Sequence, residues 1–189
     1  MQDIHDKLRG WVETTSDINC HLYTLMGYGM GCNHITELGV RWVVSTWAFL
    51  AAAPSKLVSV DIEQHENVQQ ALDLAGRNGI NMEFLIQDTT DPKWTIEPTD
   101  LLFIDTLHTY QQLSTELAKH GNQSSRYIIM HDTATYGHKD EPYAPRSNSW
   151  GVQGLIPAIE GFLRANPHWK TVNHFTHNNG LTILERKGS

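Results

Sequence analysis

Two apolar runs, each delivering an aspartate and a histidine to its end, constrain this chain more than any other feature. The first is Leu101-Leu102-Phe103-Ile104-Asp105, with His108 three residues further on; the second is Tyr127-Ile128-Ile129-Met130-His131-Asp132. A short unbroken apolar run reads as a strand buried on both faces, which is the habit of parallel strands covered by helices. Asp105 and His131-Asp132 then fall at the carboxyl ends of their strands, where open α/β sheets form their ligand crevice. Carboxylate and imidazole at one rim are the parts required for binding a metal or for general-base chemistry.

The rest of the chain alternates in the same way. Residues 35–40 read as a strand, 47–53 as a helix ending before Pro54, and 57–61 and 82–86 as further strands. Val68, Leu72 and Ala75 mark one face of a helix with Gly79 just past its end. A helix near 110–119 separates the two runs above. Residues 134–150, rich in Pro, Gly, Ser, His and charge, read as a long loop. Leu155, Ile159, Phe162 and Leu163 give a helix with Pro157 in its first turn. Two strand-like runs around Asn178-Asn179-Gly180 give a closing hairpin. The expectation is one domain over 1–189. It is a doubly wound, mostly parallel seven-stranded sheet with a C-terminal antiparallel hairpin, and a helical segment over 1–34 packs on or over the site.

Composition narrows the function classes. A net charge of -7 with His neutral argues against broad binding of nucleic acid or an anionic membrane through a basic surface. Cys20 and Cys32 match no zinc-finger spacing and make no disulfide framework, so both are expected to act as small apolar residues. No signal peptide is apparent, and no apolar run approaches the roughly 18 residues that span a bilayer. A cytoplasmic protein is the expectation. Apolar residues in the N-terminal region leave room for a homo-oligomer.

In the segment after the first strand, Glu37-Leu38-Gly39-Val40-Arg41-Trp42-Val43-Val44-Ser45-Thr46, Gly39 allows close backbone approach by a ligand. Ser45 and Thr46 are placed to cap the next helix. Only one glycine is present where a dinucleotide fingerprint needs three, which argues against a nicotinamide-dependent dehydrogenase. Asp61, at the end of the second strand, suits the hydroxyls of a ribose. Asp88, after the third, suits an adenine amino group or a local cap. Arg41 suits a carboxylate of cofactor or substrate, or plain solvent.

Taken in order, Glu37-Leu-Gly39-Val-Arg41, Ser45-Thr46, Val60-Asp61, Phe103-Ile-Asp105-x-x-His108-x-Tyr110, His131-Asp132-Thr133 and Asn179-Gly180-Leu181-Thr182 resemble the class I S-adenosylmethionine-dependent methyltransferases. The likeness is to small metal-assisted O-methyltransferases of the macrolide-sugar type, and it runs from about Ser16 to Arg186. It implies that Glu37 and Gly39 line the methionine end of S-adenosylmethionine, that Asp61 holds the ribose and that Asp88 lies near the adenine. It implies that Asp105 and Asp132 ligate a divalent cation, magnesium in such enzymes, and that His108 is the general base. His131 stands where such enzymes can carry another acidic ligand; a histidine is softer and shifts metal preference away from magnesium. The chain departs from its relatives at Val43-Val44, where they have a glycine pair, and this puts the shape of the cofactor loop in question.

The implied reaction is transfer of a methyl group to a hydroxyl of a sugar or other small molecule. The competing readings are a non-catalytic nucleoside- or partner-binding module on the same fold and, more weakly, a metal-dependent hydrolase or hydroxylase. Within the long loop, His138, Asp140 and Glu141 read as solvated charge, and Tyr110 as packing.

Overall fold

The computed structural model describes residues 2–142 and 153–188. Its elements are α1 (Gln2–Glu13), α2 (Leu22–Gly29), β1 (His34–Leu38), α3 (Val44–Ala51), β2 (Lys56–Asp61), α4 (Asn67–Arg77), β3 (Asn81–Ile86), β4 (Thr99–Ile104), α5 (Tyr110–His120), β5 (Ser124–His131), α6 (Leu155–Ala165), β6 (Trp169–Phe175) and β7 (Leu181–Arg186). The seven strands form one sheet in the order β3-β2-β1-β4-β5-β7-β6. The first five are parallel, and β7 runs antiparallel between β5 and β6. The expected architecture is the observed one.

Each β4 side chain alternates between two cores. Leu101 and Phe103 face the layer of α1 to α4, where Leu22, Leu25 and Phe49 lie. Leu102 and Ile104 face the layer of α5 and α6, with Leu117 and Ile159. All four are buried, which is why the run shows no polar alternation. The apolar residues of the N-terminal helices, Ile4, Leu8, Leu22 and Leu25, are likewise spent in this core.

Strand register builds the rim. Leu38 pairs with Val60 and with Ile104, and Ile104 pairs with Met130. The residues that follow, Gly39, Asp61, Asp105 and His131, therefore emerge side by side at the carboxyl edge. β1 stops at Leu38, two residues before the expected end. Gly39 turns the chain at φ +87, and the next two amides leave the ladder for the Asp61 carboxylate. α3 starts at Val44 rather than at 47 and so takes in Ser45 and Thr46. Of the expected 134–150 loop, residues 134–142 are turns and bends, and 143–150 lie outside the described residues. Among the described residues, no helix is long and apolar enough to cross a membrane.

Candidate active site

A cavity of about 760 Å³ opens above the carboxyl ends of β1, β2 and β4. Ser16, Asp17 and Ile18 from the N-terminal segment form one wall; Gly39, Arg41, Ser45, Asp61, Asp88, Asp105, His108 and Asp132 lie around the rest. The size is within the range of small-molecule sites, roughly 300–1,000 Å³.

Several expected residues do other work than expected. Glu37 is fully buried behind the cavity wall. Its carboxylate accepts hydrogen bonds from the hydroxyls of Ser45 (2.6 Å), Thr46 (2.8 Å) and Ser59 (2.7 Å). Burial pushes its carboxyl up to about 7, with the three hydroxyls pulling the other way. Glu37 thus knits β1, β2 and α3 together, and does not line the cavity. Ser45 and Thr46 point to Glu37 and do not cap α3; Val43, at the N-cap position, offers no side-chain cap. Gly39 is required by its own chain: a Cβ there would stand 2.0 Å from the carbonyl oxygen of Asp105.

Asp61 Oδ2 accepts the amides of Val40 (2.8 Å) and Arg41 (2.9 Å), and Oδ1 that of Ile62 (2.7 Å). Carboxylate oxygens have about four acceptor positions in all, so Asp61 can hold this loop and still meet a ligand hydroxyl. Asp88 Oδ1 accepts from the amide (2.8 Å) and hydroxyl (2.6 Å) of Thr90, a local turn at the cavity edge. Arg41 is exposed and stands 3.8 Å from Asp17. Trp42 lies against His65, with ring centroids 5.2 Å apart.

The departure at Val43 has a structural answer. Val43 is buried and adopts φ +69, ψ 23, the left-handed conformation that glycine takes without penalty. A β-branched residue there is strained. Val44 reaches the cavity wall, and the cavity stays open.

Asp105, His108, His131 and Asp132 converge at the inner end. His108 Nε2 lies 3.3 Å from Asp105 Oδ1 and 3.0 Å from Asp132 Oδ2. His131 Nδ1 lies 3.3 Å from Asp105 and 3.2 Å from Asp132. Asp105, His131 and Asp132 each present a ligand atom within 4.8 Å of the others. Asp132 is held at φ +59, and its Oδ1 is buried with no hydrogen-bond partner. A buried, unpartnered carboxylate oxygen on a residue grouped with another carboxylate and an imidazole fits a divalent cation.

The loop after β5 supplies what sequence reading missed. Glu141 Oε2 meets His108 Nδ1 at 3.0 Å, and the Glu141 amide donates to the His108 carbonyl. Asp140 Oδ1 accepts the Tyr110 amide at the start of α5. Neither is solvated charge, whereas His138 is exposed as expected. Tyr136 stacks on His108 at 4.9 Å, with the rings 7° from parallel. Cys32 is buried as expected, but Cys20 is exposed.

No protein-family model matches the sequence, and no curated protein matches it. Solved structures do match. One is an O-methyltransferase from Bacillus cereus in complex with SAH: 18% identity, TM-score 0.63, covering 99% of this chain and 91% of that one. Another is the O-methyltransferase TomG from Streptomyces achromogenes, involved in tomaymycin synthesis and solved with SAM: 16% identity, TM-score 0.62, covering 93% and 82%. A third is an O-methyltransferase family protein from Burkholderia thailandensis: 11% identity, TM-score 0.67, covering 91% and 56%. The chain has the class I methyltransferase fold.

Proposed function

We propose that the chain is an S-adenosylmethionine-dependent O-methyltransferase that methylates a hydroxyl of a sugar or other small molecule with help from a divalent cation. The observation that carries this reading is one cavity with two ends. Its outer part is bounded by Asp61 and Asp88, and its inner end by Asp105, His108 and Asp132, with His131 buried behind them and grouped with the two aspartates. That cavity lies on the fold shared with O-methyltransferases from Bacillus cereus and Streptomyces achromogenes, solved with SAH and SAM.

In this reading Asp61 holds the ribose, Asp88 lies near the adenine, and the rim beside Gly39 and Ser45 receives the methionine end. Asp105, His131 and Asp132 hold the cation, which supplies Lewis acidity to an acceptor hydroxyl. Their mixed oxygen and nitrogen set also admits ions softer than magnesium. His108 is the base. Glu141 on Nδ1 fixes the proton there, so Nε2 faces the acceptor and takes its proton. The acceptor oxygen then attacks the methyl carbon in line as the carbon–sulfur bond breaks, and S-adenosylhomocysteine leaves. Ser16–Ile18 wall one side of the cavity in which the reaction takes place.

The test is calorimetric titration with S-adenosylhomocysteine, followed by methyl transfer from labelled S-adenosylmethionine to a panel of hydroxylated acceptors. Micromolar binding and transfer abolished by His108→Ala are expected. Absence of binding with and without magnesium would overturn the reading.

A further inference from the structure

We propose that Asn178 is a positioning residue that joins the cofactor cavity to the metal centre, so that filling one strengthens binding at the other. The inference rests on the function proposed above.

Asn178 sits at the tip of the β6–β7 hairpin at φ +45, a conformation that asparagine tolerates. Its side chain faces the N-terminal segment. Oδ1 accepts the Cys20 amide at 2.8 Å, and Nδ2 donates to the Ser16 carbonyl at 2.8 Å. These bonds bracket Ser16–Ile18, the segment that walls the cavity.

The main-chain oxygen of Asn178 faces the metal centre. It lies 3.3 Å from His131 Nε2 and 3.1 Å from His21 Nε2. A carbonyl only accepts, so both Nε2 atoms carry hydrogen. That assignment leaves His131 Nδ1 for the space between Asp105 and Asp132. A ligating imidazole anchored through its other nitrogen has its ring orientation and tautomer fixed. The adjoining Asn179 carbonyl accepts the amides of Ala134 (2.8 Å) and Thr135 (3.0 Å), which holds the turn just after Asp132. There is little slack at the tip: a Cβ on Gly180 would stand 2.3 Å from the Ala134 nitrogen.

One tip therefore grips a cavity wall with a side chain and two elements of the metal centre with its carbonyls. Cofactor that orders Ser16–Ile18 also orders Asn178, and through it His131. Such coupling is reciprocal by thermodynamic necessity.

The experiment uses the whole chain. S-adenosylhomocysteine is titrated with magnesium and with chelator, and magnesium is titrated with and without S-adenosylhomocysteine. Each ligand is expected to tighten the other by the same factor, about fivefold to tenfold. Asn178→Gly keeps the left-handed backbone and the carbonyl but loses both side-chain bonds. In that variant the factor should fall below about twofold while magnesium affinity without S-adenosylhomocysteine holds. Asn178→Asp retains only the acceptor for Cys20 and should fall between. Asn173→Ala, which removes a bond to the Tyr28 hydroxyl in the same hairpin, should leave the factor intact, so general loosening of the hairpin is told apart. Binding of S-adenosylhomocysteine that ignores magnesium, or an Asn178→Gly protein with the full factor, would overturn the coupling and leave the methyltransferase reading standing. No binding in any condition would overturn both.

Discussion

Glu141 Oε2 lies 3.0 Å from His108 Nδ1, across 33 residues of chain. The contact occupies one imidazole nitrogen with a carboxylate, while the other lies against Asp105 and Asp132. The backbone reinforces it, because the Glu141 amide donates to the His108 carbonyl. Glu141→Gln keeps the shape but supplies no charge to a protonated His108. Turnover should fall roughly 10- to 100-fold, with S-adenosylhomocysteine affinity within about twofold of the parent. Steady-state kinetics beside calorimetry separates the two; equal losses in both would make Glu141 a structural loop residue.

The cluster predicts a proton count. Burial opposes charge on His108, but hydrogen bonds to Asp105 and Asp132 outweigh it and lift the imidazole to about 10. The same two carboxylates lift His131 well above its ordinary value against its burial. Asp105 and Asp132 are burial-opposed too, but the two imidazoles hold them below the usual carboxylate range. Without metal, both rings therefore carry protons at neutral pH, and His108 is no base until that charge balance changes. Magnesium uptake near pH 7.5 should release protons, and its apparent affinity should rise with pH. The linkage to folding has the matching sign. A histidine whose folded pKa is raised contributes stability that is complete below its unfolded pKa of about 6.5 and lost as pH rises through the folded value. Metal-free protein should melt at falling temperature from about pH 6.5 to about pH 10, and magnesium-saturated protein should not. Calorimetry in two buffers of different ionisation enthalpy, with melting curves in chelator, checks both. Metal uptake without proton release would refute the account.

The sheet and the grouping of Asp105, His131 and Asp132 were legible because both follow from short-range pattern. Unbroken apolar runs such as Leu101–Ile104 locate strands, and strand ends locate Asp105, His131 and Asp132 without knowledge of any contact. The register then does the rest, since four consecutive strands end level with one another. What stayed hidden depends on contacts between distant segments. Glu141 looks like any loop carboxylate until the chain returns to His108. Glu37 stands in a segment that carries the sequence resemblance, but its three hydroxyl partners come from α3 and β2 and draw it behind the wall. Asn178 reads only as a turn residue, and nothing near it in sequence announces Ser16, Cys20 or His131.

The strained loop predicts an inverted order of substitutions. Val43 is buried and left-handed, so Val43→Ala removes packing and keeps the strain, whereas Val43→Gly removes both. Glycine is ordinarily worse than alanine by about 0.5–1 kcal/mol inside regular structure. Here it should be better by about 1 kcal/mol, because a left-handed L-residue costs about 1–2 kcal/mol. Gly39→Ala should show the opposite severity and cost about 2–4 kcal/mol, since strain at φ +87 adds to a clash with Asp105. Denaturant melts of the three variants decide it; Val43→Gly weaker than Val43→Ala would mean that the left-handed turn carries no strain.

Charge in the cavity predicts which form of the cofactor is preferred. Among the described residues, seven carboxylates line it against one arginine, and Arg41 already stands 3.8 Å from Asp17. Two protonated imidazoles at the inner end do not cancel that excess. A cleft of one sign with low-dielectric walls concentrates the field inside it. S-adenosylmethionine carries a sulfonium charge that S-adenosylhomocysteine lacks, while the two share their adenosine and amino-acid ends. The charged form should therefore bind roughly tenfold tighter at low ionic strength in chelator, and the gap should close to about two- to threefold near 0.5 M salt as screening shortens to a few ångströms. Magnesium should narrow the gap as well, by placing positive charge at the inner end. Competition binding of the two compounds across a salt series measures this directly. Tighter binding of S-adenosylhomocysteine at low salt would show that the carboxylates are neutralised by their own hydrogen bonds and exert no net field on the bound sulfur.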